Sequence, residues 1–288
     1  MSKAYVASIA TITAMTTVDG NILAGVSATT LWTLRNRAAE AQRADGVLDD
    51  PWAVQLFDDI DYDYGKFGNP HQYHPRRALT FDAVTVAYLT THPKASVVAL
   101  AEGLQTSFWR LDRTGLADEL TWYSVDLPPV MALRKQLLPR DDRIVELAQS
   151  ALDRSWMDRV DAGHGVLITA EGLLMYLDPA DARGLVTDCA AKFPGGQMVF
   201  DSVPHWASRR TLKGWQLSDR YALPPMPFAQ TADESVAFGR SIPGVRAARD
   251  VALHPGRGRA RLLAWPPVDR IGPLRRTRSS VTLLEFDS

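Results

Sequence analysis

The chain has 288 residues, enough for one large α/β domain or two small ones, and 46% of them are hydrophobic, enough for a sizeable core. Lys and Arg number 32 against 33 Asp and Glu, so there is no overall basic field to hold a nucleic acid backbone or an anionic membrane. A small-molecule partner is expected, with monomer and homodimer both open. The only cysteine, Cys189, sits in a helical pattern and has no intramolecular partner, which points to a reduced, cytoplasmic protein.

In chain order, MSKAYVASIATITAM is a weakly apolar, threonine-rich run with no clear cleavage site, so residues 1–28 are expected to be a disordered or surface-packed arm. No stretch approaches the ~20 apolar residues of a membrane span. LWTLRNRAAEAQRADG and PHQYHPRRALTFDAVTVAYLTTH have one apolar and one polar face and predict a helical cap over 29–93. From about Ala95, apolar runs alternate with helical patterns. Strands are expected at ASVVAL (95–100), TWYSVDL (121–127), RIVELA (143–148), GVLITA (165–170), GQMVFDSV (196–203), ARLLAW (260–265) and VTLLEF (281–286). TSFWRLDRTG, PPVMALRKQLL, PADARGLVTDCAAKF and TADESVAFGRS read as helices. The alternation predicts an α/β, Rossmann-like doubly wound sheet of about seven strands, the last two or three antiparallel. A core over 94–204 and a C-terminal sheet half over 231–288 would flank an aromatic, Arg- and Pro-rich insertion at 205–230, expected to form a lid or pocket wall.

Ligands of open α/β sheets settle beyond the carboxyl ends of the central strands. The first strand ends in Ala101-Glu102-Gly103, a turn where a nucleotide site would carry glycine at 101 as well; alanine there is tolerable if its φ is negative. Asp126 ends the second strand, where an acid can accept from both ribose hydroxyls. Ala151 and Leu152 follow the third strand and could flank an adenine. Glu171 follows the fourth, beside Gly172 and near Tyr176. Glu102 would repel a pyrophosphate and suits a ligand with a positive centre and an ammonium group, such as S-adenosylmethionine.

These residues resemble the class I S-adenosylmethionine-dependent methyltransferases of the leucine carboxyl methyltransferase type, including the bacterial polyketide O-methyltransferase branch. TLRNRAAEAQRADGVLDDPWA resembles the family's Arg-Ala, Glu and Asp-Pro signature, VVALAEGLQTSFWRL its Gly-x-Gly-x-Asp-Thr turn, and ITAEGLLMYL its Glu-Gly-Leu-Leu-Met-Tyr block. The resemblance implies a single methyltransferase domain over 29–288 in which Arg77 holds the methionine carboxylate. It further implies that Ala101, Glu102 and Gly103 line the methionine end, Asp126 binds ribose, Ala151 and Leu152 adjoin adenine, and Glu171 lies near the amine. S-adenosylhomocysteine would be the product and a small polyketide-like molecule the acceptor. Three positions depart from the pattern: Ala101 replaces glycine, and Gln105 and Ala151 each replace an aspartate.

Bland readings compete at several positions. Glu171 could merely complement a helix dipole, and Tyr176 could be a core aromatic; both remain catalytic candidates. Of the adjacent Arg76 and Arg77, one is expected to face outward. His71 and His74 with Asp61 and Asp63 invite a metal, but no HExxH motif or cysteine cluster supports one. The alternatives in function are a binding or non-methylating protein on a degenerate scaffold and a protein carboxyl methyltransferase.

Overall fold

The computed structural model describes residues 17–258 and 275–288. In chain order the elements are β1 (Val18–Asp19), α1 (Thr29–Ala41), α2 (Pro51–Asp59), β2 (Ile60–Asp61), α3 (Tyr73–Thr91), β3 (Ser96–Leu100), α4 (Ser107–Asp112), β4 (Thr121–Asp126) and α5 (Pro128–Leu137). They continue as β5 (Ile144–Ala148), β6 (Val166–Ala170), α6 (Pro179–Lys192), β7 (Gln197–Ser202), α7 (His205–Thr211), β8 (Gln216–Ser218), β9 (Tyr221–Ala222), α8 (Ala232–Arg240), β10 (Val245–Val251) and β11 (Ser280–Phe286). Among the described residues no helix is long and apolar enough to cross a membrane.

One seven-stranded sheet runs β10-β11-β7-β6-β3-β4-β5, with β3 to β7 parallel. The strand order reverses beside β3, which opens the crevice between the ends of β3 and β6. Every residue of β3 is buried because alternate side chains enter opposite layers. Val97 and Ala99 pack with Leu31, Phe81, Phe108 and Trp122 under the cap, and Val98 and Leu100 with Trp156, Leu185 and Phe200 on the other face.

Among the described residues only β11 runs antiparallel, to both β7 and β10, so there the expectation of two or three reversed strands is corrected to one. The apolar β11 takes the inner slot and β10, with sequence VRAARDV, takes the edge. An edge strand need bury only one face, so its Arg, Ala and Asp residues carry no strong strand pattern. The expected strand ARLLAW lies outside the described residues. The nine-residue α2, also absent from the sequence reading, begins with Asp50 accepting from Ala53 N and Pro51 in the first turn.

A buried charge network ties the cap to the turn after β3. Arg37 of α1 donates from Nη1 to Asp50 Oδ2 at 2.7 Å and to Thr106 Oγ1 at 2.8 Å, and from Nη2 to the Leu104 carbonyl at 2.6 Å. Arg110 of α4 reaches Asp50 at 2.8 Å and grips Asp82 of α3 with two further bonds. Burial pushes the Asp50 carboxyl up, but Arg110, Arg37, Thr106 and the Ala53 N–H outweigh it and hold it at about 2.

Removing one member of such a pair leaves uncompensated buried charge. Asp50→Ala is expected to cost about 3–5 kcal/mol in urea unfolding. Since the folded value lies below the ordinary one, the aspartate's contribution is complete above about pH 4 and lost as pH falls through about 2. Unfolding measured across that window should show a loss on the order of 2 kcal/mol that Asp50→Asn lacks.

Candidate cofactor and acceptor site

A cavity of about 780 Å³ borders the strand ends, α1, the start of α3 and the 205–230 segment. At one end lies the turn after β3. Ala101 has φ +49°, the only positive φ of a non-glycine among the described residues, contrary to the negative φ on which its tolerance was predicated. The turn is tight enough to force the left-handed region, which costs an L-residue roughly 1–2 kcal/mol. Gly103 follows at φ +62°, and a Cβ there would stand 2.4 Å from Thr30 Oγ1.

Side chains satisfy the backbone of this turn. Gly103 N donates to Asp126 Oδ2 at 2.6 Å and Leu104 N to Thr30 Oγ1 at 2.6 Å. Arg134 of α5 donates to the carbonyls of Gly103 and Gln105, each at 2.8 Å. The same guanidinium meets Glu102 at 2.9 Å, and the Glu102 carboxylate also accepts from Trp122 Nε1 and Ser124 Oγ. Glu102 thus borders the cavity while its carboxylate serves the layer beneath the turn, which corrects the idea that its charge selects the ligand. Burial raises its pKa, with Arg134 opposing.

A second buried charge cluster at the cavity centres on Arg77. Arg77 donates from Nε to Glu171 at 2.9 Å and from Nη1 to Asp201 at 2.9 Å. Asp201 also accepts from Gly172 N at 2.6 Å, and Glu171 from Gln105 Nε2 at 2.7 Å. A Cβ on Gly172 would stand 3.2 Å from the Arg77 guanidinium, so this glycine, at φ +72°, also makes room for the arginine. Burial raises the Glu171 pKa, opposed by Arg77 and reinforced by Asp201. Asp201 was absent from the sequence reading; its signal is an acid at the carboxyl end of the buried run MVFDSV.

Asp126 is buried at the end of β4, its second oxygen accepting from Leu127 N at 2.7 Å, and burial raises its pKa against these two N–H donors. Leu127 and Leu152 line the cavity yet remain 43% and 37% exposed. Ala151 lines the same end, its carbonyl accepting from Trp156 Nε1. Toward the other end stand Tyr176, Val203, Trp206, Trp215, Leu223 and Met226. Burial pushes the Tyr176 hydroxyl up, which holds it protonated. Arg76 does not simply face outward: it borders the cavity and donates to the His254 carbonyl at 2.7 Å. His71 and His74 also line the cavity; no metal-holding group of three His, Cys, Asp or Glu occurs among the described residues.

The parallel sheet with its strand-end cavity defines a Rossmann-like methyltransferase fold. A crystal structure assigned as a methyltransferase from Thermobifida fusca matches with TM-score 0.56 at 16% identity, covering 88% of this chain and 94% of that one. The family model for leucine carboxyl methyltransferase matches residues 30–190, and the chain belongs to that family as an S-adenosylmethionine-dependent methyltransferase. The tetracenomycin polyketide synthesis O-methyltransferase TcmP of Streptomyces glaucescens is 33% identical over 192 residues, 65% of this chain and 69% of the relative. An assigned S-adenosyl-L-methionine-dependent methyltransferase of Mycobacteroides abscessus is 30% identical over 194 residues, 58% of this chain and 62% of its own length.

Relieving the strained turn should be measurable. Ala101→Gly is expected to raise stability by roughly 1 kcal/mol by thermal or urea unfolding, the φ penalty exceeding glycine's entropy cost. Gly103→Ala should lower it by about 1–3 kcal/mol through collision with Thr30.

Proposed function

We propose that the enzyme transfers the methyl group of S-adenosylmethionine to an oxygen of a small, polyketide-like acceptor. The observation that carries this reading is the continuity of the cavity from the β3 turn and Arg77 cluster to an apolar wall built by the 205–230 segment. Its volume of about 780 Å³ lies within the roughly 300–1,000 Å³ of small-molecule sites, with length for a cofactor and an acceptor. Similarity to TcmP, named as a polyketide O-methyltransferase, supports an oxygen acceptor.

The cavity's residues fit the cofactor. Leu127 and Leu152 offer uncovered apolar surface for a flat ring, Ala151 adds a small wall, and Asp126 keeps lone pairs for ribose hydroxyls. Ala101, Glu102 and Gly103 border the methionine end. Arg77 spends Nε and Nη1 on carboxylates, and we assign its Nη2 to the methionine carboxylate. Glu171 is assigned to the amine. S-adenosylmethionine supplies an activated methyl group on a sulfonium. The protein's residues orient the acceptor oxygen and exclude water. A hydroxyl acceptor must also give up a proton, whereas a carboxylate need not.

Calorimetric titration with S-adenosylhomocysteine and S-adenosylmethionine tests the assignment. Micromolar binding, weakened at least tenfold by Asp126→Ala, is expected. No binding at millimolar cofactor would favour a degenerate scaffold. Protein carboxyl methylation fits less well, because the aromatic wall of Trp206 and Trp215 suits a compact apolar molecule better than an extended peptide.

A further inference from the structure

We propose that Asn36 fixes His74 in the tautomer protonated on Nε2, and that this N–H donates to an oxygen of the acceptor. Acceptors bearing a carbonyl or carboxylate oxygen besides the oxygen methylated are thereby selected. The inference rests on the acceptor reading of the cavity. It concerns the first turn of α3, where His74 precedes Arg77 by three residues and so shares its helix face. Both border the cavity.

The tautomer follows from donor and acceptor bookkeeping. The His71 backbone N–H can only donate, and it meets Asn36 at 3.1 Å, so the Asn36 atom there is Oδ1. The Asn36 amide nitrogen therefore faces His74 Nδ1, at 2.7 Å, and that ring nitrogen accepts and carries no proton. Burial, followed by the nearby Arg77, His71 and Arg37, holds the His74 pKa well below the ordinary histidine value, so the ring is neutral. Its single proton is then on Nε2.

The ring is clamped. Trp32 stands edge-on with centroids 4.7 Å apart at 89°, and Tyr73 crosses at 5.4 Å. No hydrogen bond from Nε2 occurs among the described residues, and Nε2 is not one of their fully buried unpaired atoms, so with the residue lining the cavity this nitrogen faces open space. A donor that faces a cavity with no protein acceptor is left for water or a ligand to answer. The same bookkeeping removes His74 as a general base, because its bare nitrogen is held by Asn36 and its other nitrogen already carries the proton.

Two measurements test this. Nitrogen-15 NMR of histidine-labelled protein should give a neutral His74 with pyridine-type Nδ1 and protonated Nε2, a single tautomer that Asn36→Leu releases. Fluorescence titration with 2-acetylnaphthalene and with 2-isopropenylnaphthalene, which replaces the carbonyl oxygen by CH₂, reads the donor without requiring turnover. The ketone to alkene affinity ratio should fall roughly five- to tenfold in His74→Phe and be partly kept in His74→Gln, whose amide nitrogen stands near the Nε2 position. A ratio unchanged in His74→Phe, a proton on Nδ1, a charged ring, or failure of the wild type to bind either probe would overturn the proposal. The titrations are run without cofactor, so absence of S-adenosylhomocysteine binding would count against the cofactor assignment alone.

Discussion

Arg37 and Asp50 meet at 2.7 Å with neither side chain reaching solvent, and the geometry of the turn after β3 depends on that contact. Arg37 also holds the Leu104 carbonyl, and Asp50 receives Thr106 and Arg110, so a helix of the cap, a loop, the turn and α4 share one charge centre. Compared with an apolar cluster of equal volume, a buried network of this kind adds little net stability, because desolvation offsets attraction. Its directional bonds instead allow one register of cap on sheet. That register brings Thr30 to Leu104 N, and Thr30 in turn leaves space only for a glycine at 103.

The turn is therefore braced from outside and does not depend on its own glycines alone. With the Gly103 and Gln105 carbonyls on Arg134 and the Gly103 N–H on Asp126, the backbone is pinned on both sides, and Ala101 can be forced to positive φ. A strained residue persists where its surroundings over-determine it. The bracing also explains Glu102. A carboxylate in this position would trouble an open nucleotide turn, but Arg134, Ser124 and Trp122 draw it into the protein. Glu171 and Asp201 are instead paired with Arg77, one on each of two of its nitrogens.

The strands and the ends from which the site is built were legible in the sequence because buried parallel strands read as continuous Val, Ile and Leu runs. Asp126, Glu171 and the turn were legible by position at those ends. What was illegible depended on three-dimensional pairing. Nothing local marks Asn36 as the partner of His71 and His74, or Arg134 as the brace of a turn thirty-one residues earlier in the case of Gly103. The direction of the Glu102 side chain and the φ of Ala101 are likewise set by neighbours distant in sequence. The edge strand β10 was missed for a different reason, since Arg, Ala and Asp suit its exposed face and mask its period.

The cavity divides along the same line. The end assigned to the cofactor is made by residues within the stretch that matches the family, 30–190. Much of the opposite wall comes from beyond residue 190, namely Val203, Trp206, Trp215, Leu223 and Met226. A fold that hosts many reactions keeps the constant half on strand ends and caps, where the backbone is fixed by the sheet, and varies the other half on an insertion. His71 and His74 stand between the two. His74 sits on the first turn of α3, three residues before Arg77, and His71 lies just before the helix, so a donor on His74 would be held in fixed relation to the end assigned to the cofactor whatever wall the insertion supplies. An acceptor's orientation would then be set by the helix, and its size and shape by Trp206, Trp215 and their neighbours.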